Sequence, residues 1–371
     1  MQRDLVGHER GATVAEAARQ LVICNACRYC EGYCAVFPAM ELRTTFGPSD
    51  VLYLANLCHD CRACLYACQY APPHEFAVNI PKVLADLRVD TYRDYTWPRV
   101  FRGLFTRNGL VTAVCMAVVL LGILALGGPA RLLSAFQGPG AFYEVVPYAT
   151  LVIVASLTSL YALGVLAAGA LRFWRDTRGS PAEMVDLRAL LAATRDAASL
   201  RYMDGGGHGC WYPRPTTSEA RRVFHSLVFY GFLLDLAATI SAAILQDILE
   251  QLPPYPLLSV PVVLGTVGGV MLLVGVVGLL VLKPRSDPEP AAPQMTGLDL
   301  AFLVLLGLSA ATGLVLLALR ATPAMPVLLA IHLGAIAGLF VTAPYGKFAH
   351  VVYRYAALVR HNIEQQRAAH E

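Results

Sequence analysis

Residues 24–34 read CNACRYCEGYC and residues 58–68 read CHDCRACLYAC. One spacing occurs twice, as Cys24, Cys27, Cys30 and Cys34 and then as Cys58, Cys61, Cys64 and Cys68. Three cysteines at every third residue can wrap thiolates around one face of a metal–sulfur cubane, while the fourth is directed away. In two-cluster ferredoxins that fourth cysteine serves the other cluster. The spacing therefore predicts one [4Fe-4S] cluster on Cys24, Cys27, Cys30 and Cys68, and a second on Cys58, Cys61, Cys64 and Cys34. The proline usual directly after the fourth cysteine is absent; Ala35 and Gln69 stand there, with Pro38 and Pro72 nearby. A disulfide framework is disfavoured on a reducing side of the membrane. Structural zinc would take the cysteines two and two and leave the repeat unexplained.

The segments before the motifs, TVAEAARQLVI (13–23) and PSDVLYLANL (48–57), have helical apolar spacing with Thr13 and Ser49 as N-cap candidates. They predict a helical ferredoxin-like module. Working outward, the composition turns apolar: hydrophobic residues make up 56% of the 371-residue chain and charged ones 15%, with a mean hydropathy of +0.53. That is too apolar for a soluble domain of this length. The formal net charge is only +3 and no basic patch interleaves with aromatics, which excludes a nucleic-acid groove. No apolar stretch of signal-peptide type follows Met1.

Beyond residue 108, long apolar stretches approach the ~20 residues that a spanning helix needs. Six spans are expected, near 109–127, 146–171, 223–249, 260–282, 298–319 and 325–345. Arg99, Arg102, Arg107, Arg172, Arg175, Arg178, Arg221, Arg222, Lys283, Arg285, Lys347, Arg354 and Arg360 flank them on one side, against Arg131 and Arg320 on the other. By the positive-inside rule both termini and the cysteine motifs are cytoplasmic. The expected organisation is a 2x[4Fe-4S] domain over 1–95, a linker over 96–108 that is an interfacial helix or an ordinary connector, a membrane domain over 109–361 with a cytoplasmic loop at 172–222, and a tail over 362–371. The fold class is all-α.

His225, at the cytoplasmic end of the third span, and His350, just past the sixth, should share one depth and could ligate a haem b iron from opposite faces. Otherwise they are interfacial histidines bonded to lipid or loop. His332 lies about 27 Å from His350 if one helix at ~1.5 Å per residue carries both. As an intramembrane ionisable group it is a candidate for a second haem or a quinone pocket. His208, in the glycine-rich loop DGGGHGCWYP, could partner it only if that loop entered the bundle. Asp235 is a proton relay or a helix-to-helix hydrogen-bonding group. Cys115 reads as a small buried apolar residue, and Cys210 stands isolated in the loop.

The stretches CNACRYCEGYCAVFPAME, CHDCRACLYACQYAPPHEFAVNIP, FYGFLLDLAAT and APYGKFAH together resemble the tricarballylate utilization protein B family, also called the citrate-utilization CitB family, which also forms the C-terminal half of a cobalamin-biosynthesis fusion protein. The resemblance spans nearly the whole chain. It implies a membrane-anchored electron-transfer subunit of the bacterial inner membrane that reoxidises the FADH2 of a partner dehydrogenase through the clusters and passes electrons to quinone. The histidine pattern is similar to that of haem b subunits of respiratory nitrate reductase, where one helix carries two histidines as His332 and His350 would. No residue reads as an acid, base or nucleophile for carbon chemistry. A heterodisulfide-reductase-like subunit is the first alternative, and it lacks Cys-Cys-Gly motifs here. A tricarboxylate transporter with a redox-sensing domain is the second, and the spans lack intramembrane arginines.

Overall fold

The computed structural model describes residues 2–101 and 136–369, with a few isolated positions between them. Helix α1 (Gln2–Cys27) runs into the first cysteine motif. Thr13 therefore lies inside a helix that begins eleven residues before it and does not cap one. Helices α2 (Val36–Glu41), α3 (Pro48–Leu57), α4 (Ala63–Tyr66) and α5 (Ile80–Asp94) follow. Gly47 is the N-cap of α3: its amide donates to the Asp50 carboxylate, and Pro48 opens the first turn, so Ser49 falls one position further in. Asn79 caps α5, accepting from the Lys82 amide at 3.1 Å.

After α6 (Ala141–Val145) come the apolar helices α7 (Tyr148–Asp176), α9 (Ala220–Asp247), α10 (Val260–Leu282), α11 (Pro293–Leu319) and α12 (Met325–Thr342). Among the described residues these five are long and apolar enough to cross a membrane, and the chain is a multi-pass membrane protein. The expected span at 109–127, with Cys115, and most of the 96–108 linker lie outside the described residues. Leu157, Leu160 and Leu163 on α7 point outward, the arrangement that lipid allows and water penalises. Between α7 and α9 lie α8 (Leu187–Ala198), capped by Asp186, and one two-residue pairing of Cys210–Trp211 with Thr217–Ser218.

Two features differ from the sequence reading. The last span ends at Tyr345, as expected, but no continuous helix joins it to His350: α12 stops at Thr342, the chain turns through Ala343–Tyr345 and Gly346, and a new helix, α13 (Ala349–Ala368), begins. Pro344 lacks the amide that would extend the ladder. The along-helix separation of His332 and His350 therefore has no continuous helix to run on, and the two sit on different helices. Residues 362–368 of the expected tail are helical and continue α13.

The core of the cysteine-rich segment is not its own. Leu21, Phe37, Tyr53, Leu54 and Leu84 share one apolar cluster with Phe173 and Trp174 of α7, Ala189 and Ala193 of α8, and Tyr353, Leu358 and Ile363 of α13. Arg43 ties this contact together, pairing with Asp50 at 2.9 Å and with Glu364 of α13 at 2.5 Å. The Tyr53 ring lies between Arg43 and Arg360, whose guanidinium carbons are 5.0 and 4.5 Å from its centroid.

Helices α9 and α10 approach so closely that Gly231, Gly268 and Gly275 have no room to grow. A Cβ on Gly275 would lie 2.7 Å from the Phe224 carbonyl oxygen and 2.8 Å from the Val228 amide, both backbone. Small residues allow this contact in lipid, where dispersion rather than water exclusion holds helices together. Gly275→Leu is expected to force the pair apart at a cost of about 1–3 kcal/mol, read as a lower midpoint of thermal unfolding in detergent, whereas Gly297→Ala, inside a helix with open space around it, does not lower the midpoint.

Candidate functional site

The fold gathers the eight motif cysteines at one end of the bundle. Cys24, Cys27, Cys30 and Cys68, joined by Cys64, line a cavity of about 280 Å³ together with Tyr29, Phe37 and Tyr70. Cys34 lies with the other motif: it is close enough to Cys58 and Cys61 to feel their charge, and Cys64 feels Cys61, Cys34 and Cys58. The fourth cysteine of each motif is thus brought to the opposite group. Helix α2 starts two residues after Cys34 and aims the Val36 and Phe37 amides at its sulfur, while the Tyr70 amide donates to Cys68 Sγ at 3.3 Å. Burial, reinforced by the neighbouring thiols, pushes Cys24 and Cys30 up to about 12. Burial also takes Cys61 to about 12 and raises Cys34 and Cys64 well above the usual thiol range.

The loop before α9 covers the second group. Cys210 is buried and donates to the Met203 carbonyl, the Trp211 amide donates to the Cys61 carbonyl at 2.9 Å, and Trp211 stacks on Tyr66 at 5.6 Å. The left-handed backbone at Gly205, Gly206, Gly207 and Gly209 lets this loop press on Ala63 and on the Gly32–Tyr33 backbone. His208 stays exposed at its tip and does not enter the bundle.

Of the histidines, His225 near the start of α9 and His350 at the start of α13 are brought together, with ring centroids 6.4 Å apart and rings at 84°. His350 Nδ1 is hydrogen-bonded to the Lys347 carbonyl at 2.5 Å, and burial beside Lys347 and Arg354 holds its pKa well below the imidazole range. His332 belongs elsewhere: its Nδ1 is 3.1 Å from the Thr312 hydroxyl of α11, and its ring fills the notch left by Gly313. Asp235 packs on α10, where a Cβ on Gly268 would lie 2.5 Å from its Oδ1.

The sequence reading passed over the cations that join these parts. Arg354 donates to the Cys58 carbonyl at 2.6 Å, and Arg88, buried in α5, donates to the Ala55 and Cys58 carbonyls. Arg221 donates to the Asp60 carbonyl, and Arg62 reaches the Asp287 carbonyl at 3.0 Å while Tyr66 bonds the Asp287 carboxylate. Arg221 stands one helical turn before His225, and Arg354 one turn after His350. The i,i+4 spacing of arginine and histidine in RRVFH and HVVYR was the available signal.

Among the described residues no three His, Cys, Asp or Glu side chains converge closely enough to hold a metal ion. The assignment of two [4Fe-4S] clusters to the eight cysteines, and of haem b to His225, His350 and His332, is corrected on that finding. The thiols stand around a cavity and in neighbouring buried positions and do not close on one point, and His332 is on a separate helix pair from the other two histidines. No metal group is assigned to these residues.

Fold and site together define a multi-pass helical membrane protein with a cysteine-rich domain locked onto one end of its bundle by arginines. The family model described as "Citrate utilization protein B" matches residues 102–371, and one described as "Citrate utilization protein B Fer4-like domain" matches residues 17–95. A relative named "Citrate utilization protein B", from Escherichia coli, is 45% identical over 359 residues, covering 95% of this chain and 93% of its own. The chain belongs to the citrate utilization protein B family. No solved structure matches it.

The buried thiols set a pH dependence. A thiol is alkylated as its thiolate, so Cys24 and Cys30, raised to about 12, should react slowly with iodoacetamide through pH 9 and accelerate only towards pH 12. Peptide mapping of the alkylated protein reads this. Because their folded values lie above the unfolded one, the stability they contribute is complete below the unfolded thiol value and is lost as pH rises towards 12.

Proposed function

We propose that the chain is an electron-transfer subunit of the bacterial cytoplasmic membrane, with both termini and the cysteine-rich domain on the cytoplasmic side. Its partner there is a soluble flavin-dependent dehydrogenase acting on a tricarballylate- or citrate-type acid, and its acceptor is membrane quinone. The reduced flavin gives up two electrons and two protons, and the quinone takes two of each to become quinol, so the exchange balances with no further reactant. Oxidation of the carbon substrate belongs to the partner.

The observation that carries this reading is the junction itself. Arg354 and Arg221 hold the Cys58–Asp60 backbone of the second motif, each one turn from a histidine of the membrane domain. A cysteine-rich domain bound in this way to the membrane end of the spans suits transfer between a soluble donor and a lipid-soluble acceptor. Family membership independently supports a citrate-type acid as the partner's substrate, since the Escherichia coli relative is named for citrate utilization.

The test reconstitutes the full chain in proteoliposomes containing a quinone, and adds the partner dehydrogenase and its acid outside. Flavin reoxidation and quinol formation are followed together. Both are expected to require this chain, and Cys27→Ser or Cys61→Ser is expected to lower the rate at least tenfold. Equal quinol formation without the chain, or uptake of the acid with no acceptor present, overturns the proposal, the latter in favour of transport.

A further inference from the structure

Helix α8 (Leu187–Ala198) has two faces, and its packing uses one of them. The inward face carries Ala189 and Ala193, both fully buried in the shared core, with Asp196 buried beside them. The outward face carries Leu187 and Leu191, 67% and 62% exposed, and Val185 in the turn before the helix is 74% exposed. Leu187, Leu191 and Arg195 follow one another at four-residue steps, and Arg188 stands three residues before Leu191. Both arginines therefore lie on the leucine stripe. One exposed leucine needs no explanation, whereas a contiguous apolar stripe marks a surface that something covers.

Charge is sorted by face as well. Asp186 accepts from the Ala189 amide at 2.9 Å as the cap of the helix. Asp196 accepts from Asn362 of α13 at 3.2 Å and from Arg201 at 3.3 Å. Glu183, just before the helix, accepts from the Ser180 amide at 2.7 Å and pairs with Arg367 of α13 at 2.5 Å. The acids of this segment are thus engaged with the protein itself, while Arg188 and Arg195 are exposed. What α8 presents outward is apolar and positive.

The place of α8 in the fold identifies the covering surface. The Ala198 carbonyl, at the end of the helix, accepts from the Tyr230 hydroxyl at 2.6 Å. Tyr230 belongs to the span that begins at Ala220, about 15 Å along it at ~1.5 Å per residue. It is 41% exposed, on the outer side of the bundle with Leu233 and Leu236. A tyrosine at such a level keeps its ring in lipid and turns its hydroxyl towards the headgroups, and here that hydroxyl holds the end of α8. The helix therefore ends at the lipid-facing side of the bundle. Basic amphipathic helices in this layer bury their apolar side chains among the acyl chains, and their arginines reach up to the phosphates. We propose that α8 is an in-plane membrane anchor: Val185, Leu187 and Leu191 enter the leaflet at the cysteine-rich end of the bundle, and Arg188 and Arg195 bind anionic lipid headgroups. This anchor rests on the membrane reading alone and is independent of the electron-transfer proposal.

The test uses the full-length protein, one copy per nanodisc of phosphatidylglycerol or phosphatidylcholine, and reads labelling by a charged maleimide through peptide mapping. Leu191→Cys is compared with Glu75→Cys, on an exposed loop of the cysteine-rich segment, each normalised to its rate in the unfolded protein. In phosphatidylglycerol Leu191→Cys is expected to react slower by about tenfold or more. Adding Arg188→Gln with Arg195→Gln should speed it about fivefold there and leave it unchanged in phosphatidylcholine. Equal rates at the two positions overturn the anchor, as does protection that arises only when the partner dehydrogenase is added, which assigns the face to a protein. Arginine variants without effect in either lipid overturn the headgroup contact. Should the variants not fold, the unaltered protein is irradiated with a phosphatidylglycerol carrying a photoreactive acyl chain: adducts within residues 184–195 support the anchor, and adducts confined to the spans overturn it.

Discussion

The carbonyl of Cys58 accepts hydrogen bonds from two buried guanidinium groups, Arg88 of α5 and Arg354 of α13. Hydrogen bonds from charged donors are roughly twice as strong as neutral ones, and more so away from water. This carbonyl joins three parts of the chain at one atom: the second cysteine motif, the helix behind it, and the helix after the last span. Burial lowers Arg354 to about 10, which leaves it charged at neutral pH and hungry for acceptors. Removing its carbonyl geometry would strand a charge in the interior. The cysteine-rich segment is therefore fixed to the bundle by the same contact that fixes its own loop.

A second tie runs through Arg43, which bonds Asp50 inside the segment and Glu364 outside it, with the Tyr53 ring beneath. All three side chains are largely shielded, so loss of one partner costs several kcal/mol, about 3–5 for a buried pair broken on one side. The two ties place α13 against α3 along its length. Between them lie Tyr92, Tyr353 and Phe173, whose rings pack at 5.6–5.7 Å. Polar contacts thus fix direction, and the aromatic layer supplies the buried area.

How much of this was legible depends on the range of the signal. The spans are local: hydropathy and the position of basic residues placed 146–171, 260–282 and 325–345 close to Tyr148–Asp176, Val260–Arg285 and Met325–Tyr345. What spacing could not convey is whether gathered thiols close on a point, because that depends on side-chain directions set by the whole domain. The break at Pro344 and Gly346 was written in the sequence, yet the apolar run on either side concealed it. The contacts of Arg221 and Arg354 passed unread because an arginine near a span end ordinarily faces water and counts only towards orientation. Their burial is a consequence of segments more than 100 residues apart meeting, as Arg354 and Cys58 do.

The shared core also orders events in time. Residues 17–95 emerge early from the ribosome, but Tyr53, Leu54 and Leu84 are covered by Tyr353, Leu358 and Ile363 of α13, which are made last. At ~5–20 residues per second the roughly 250 residues between them take tens of seconds. Throughout that interval the early segment displays apolar side chains and unpaired thiols to the surrounding solution. Its maturation is therefore a late step, reached only after the last span has been inserted, and a chain truncated before α13 would carry its spans normally while its cysteine-rich end stayed unfinished.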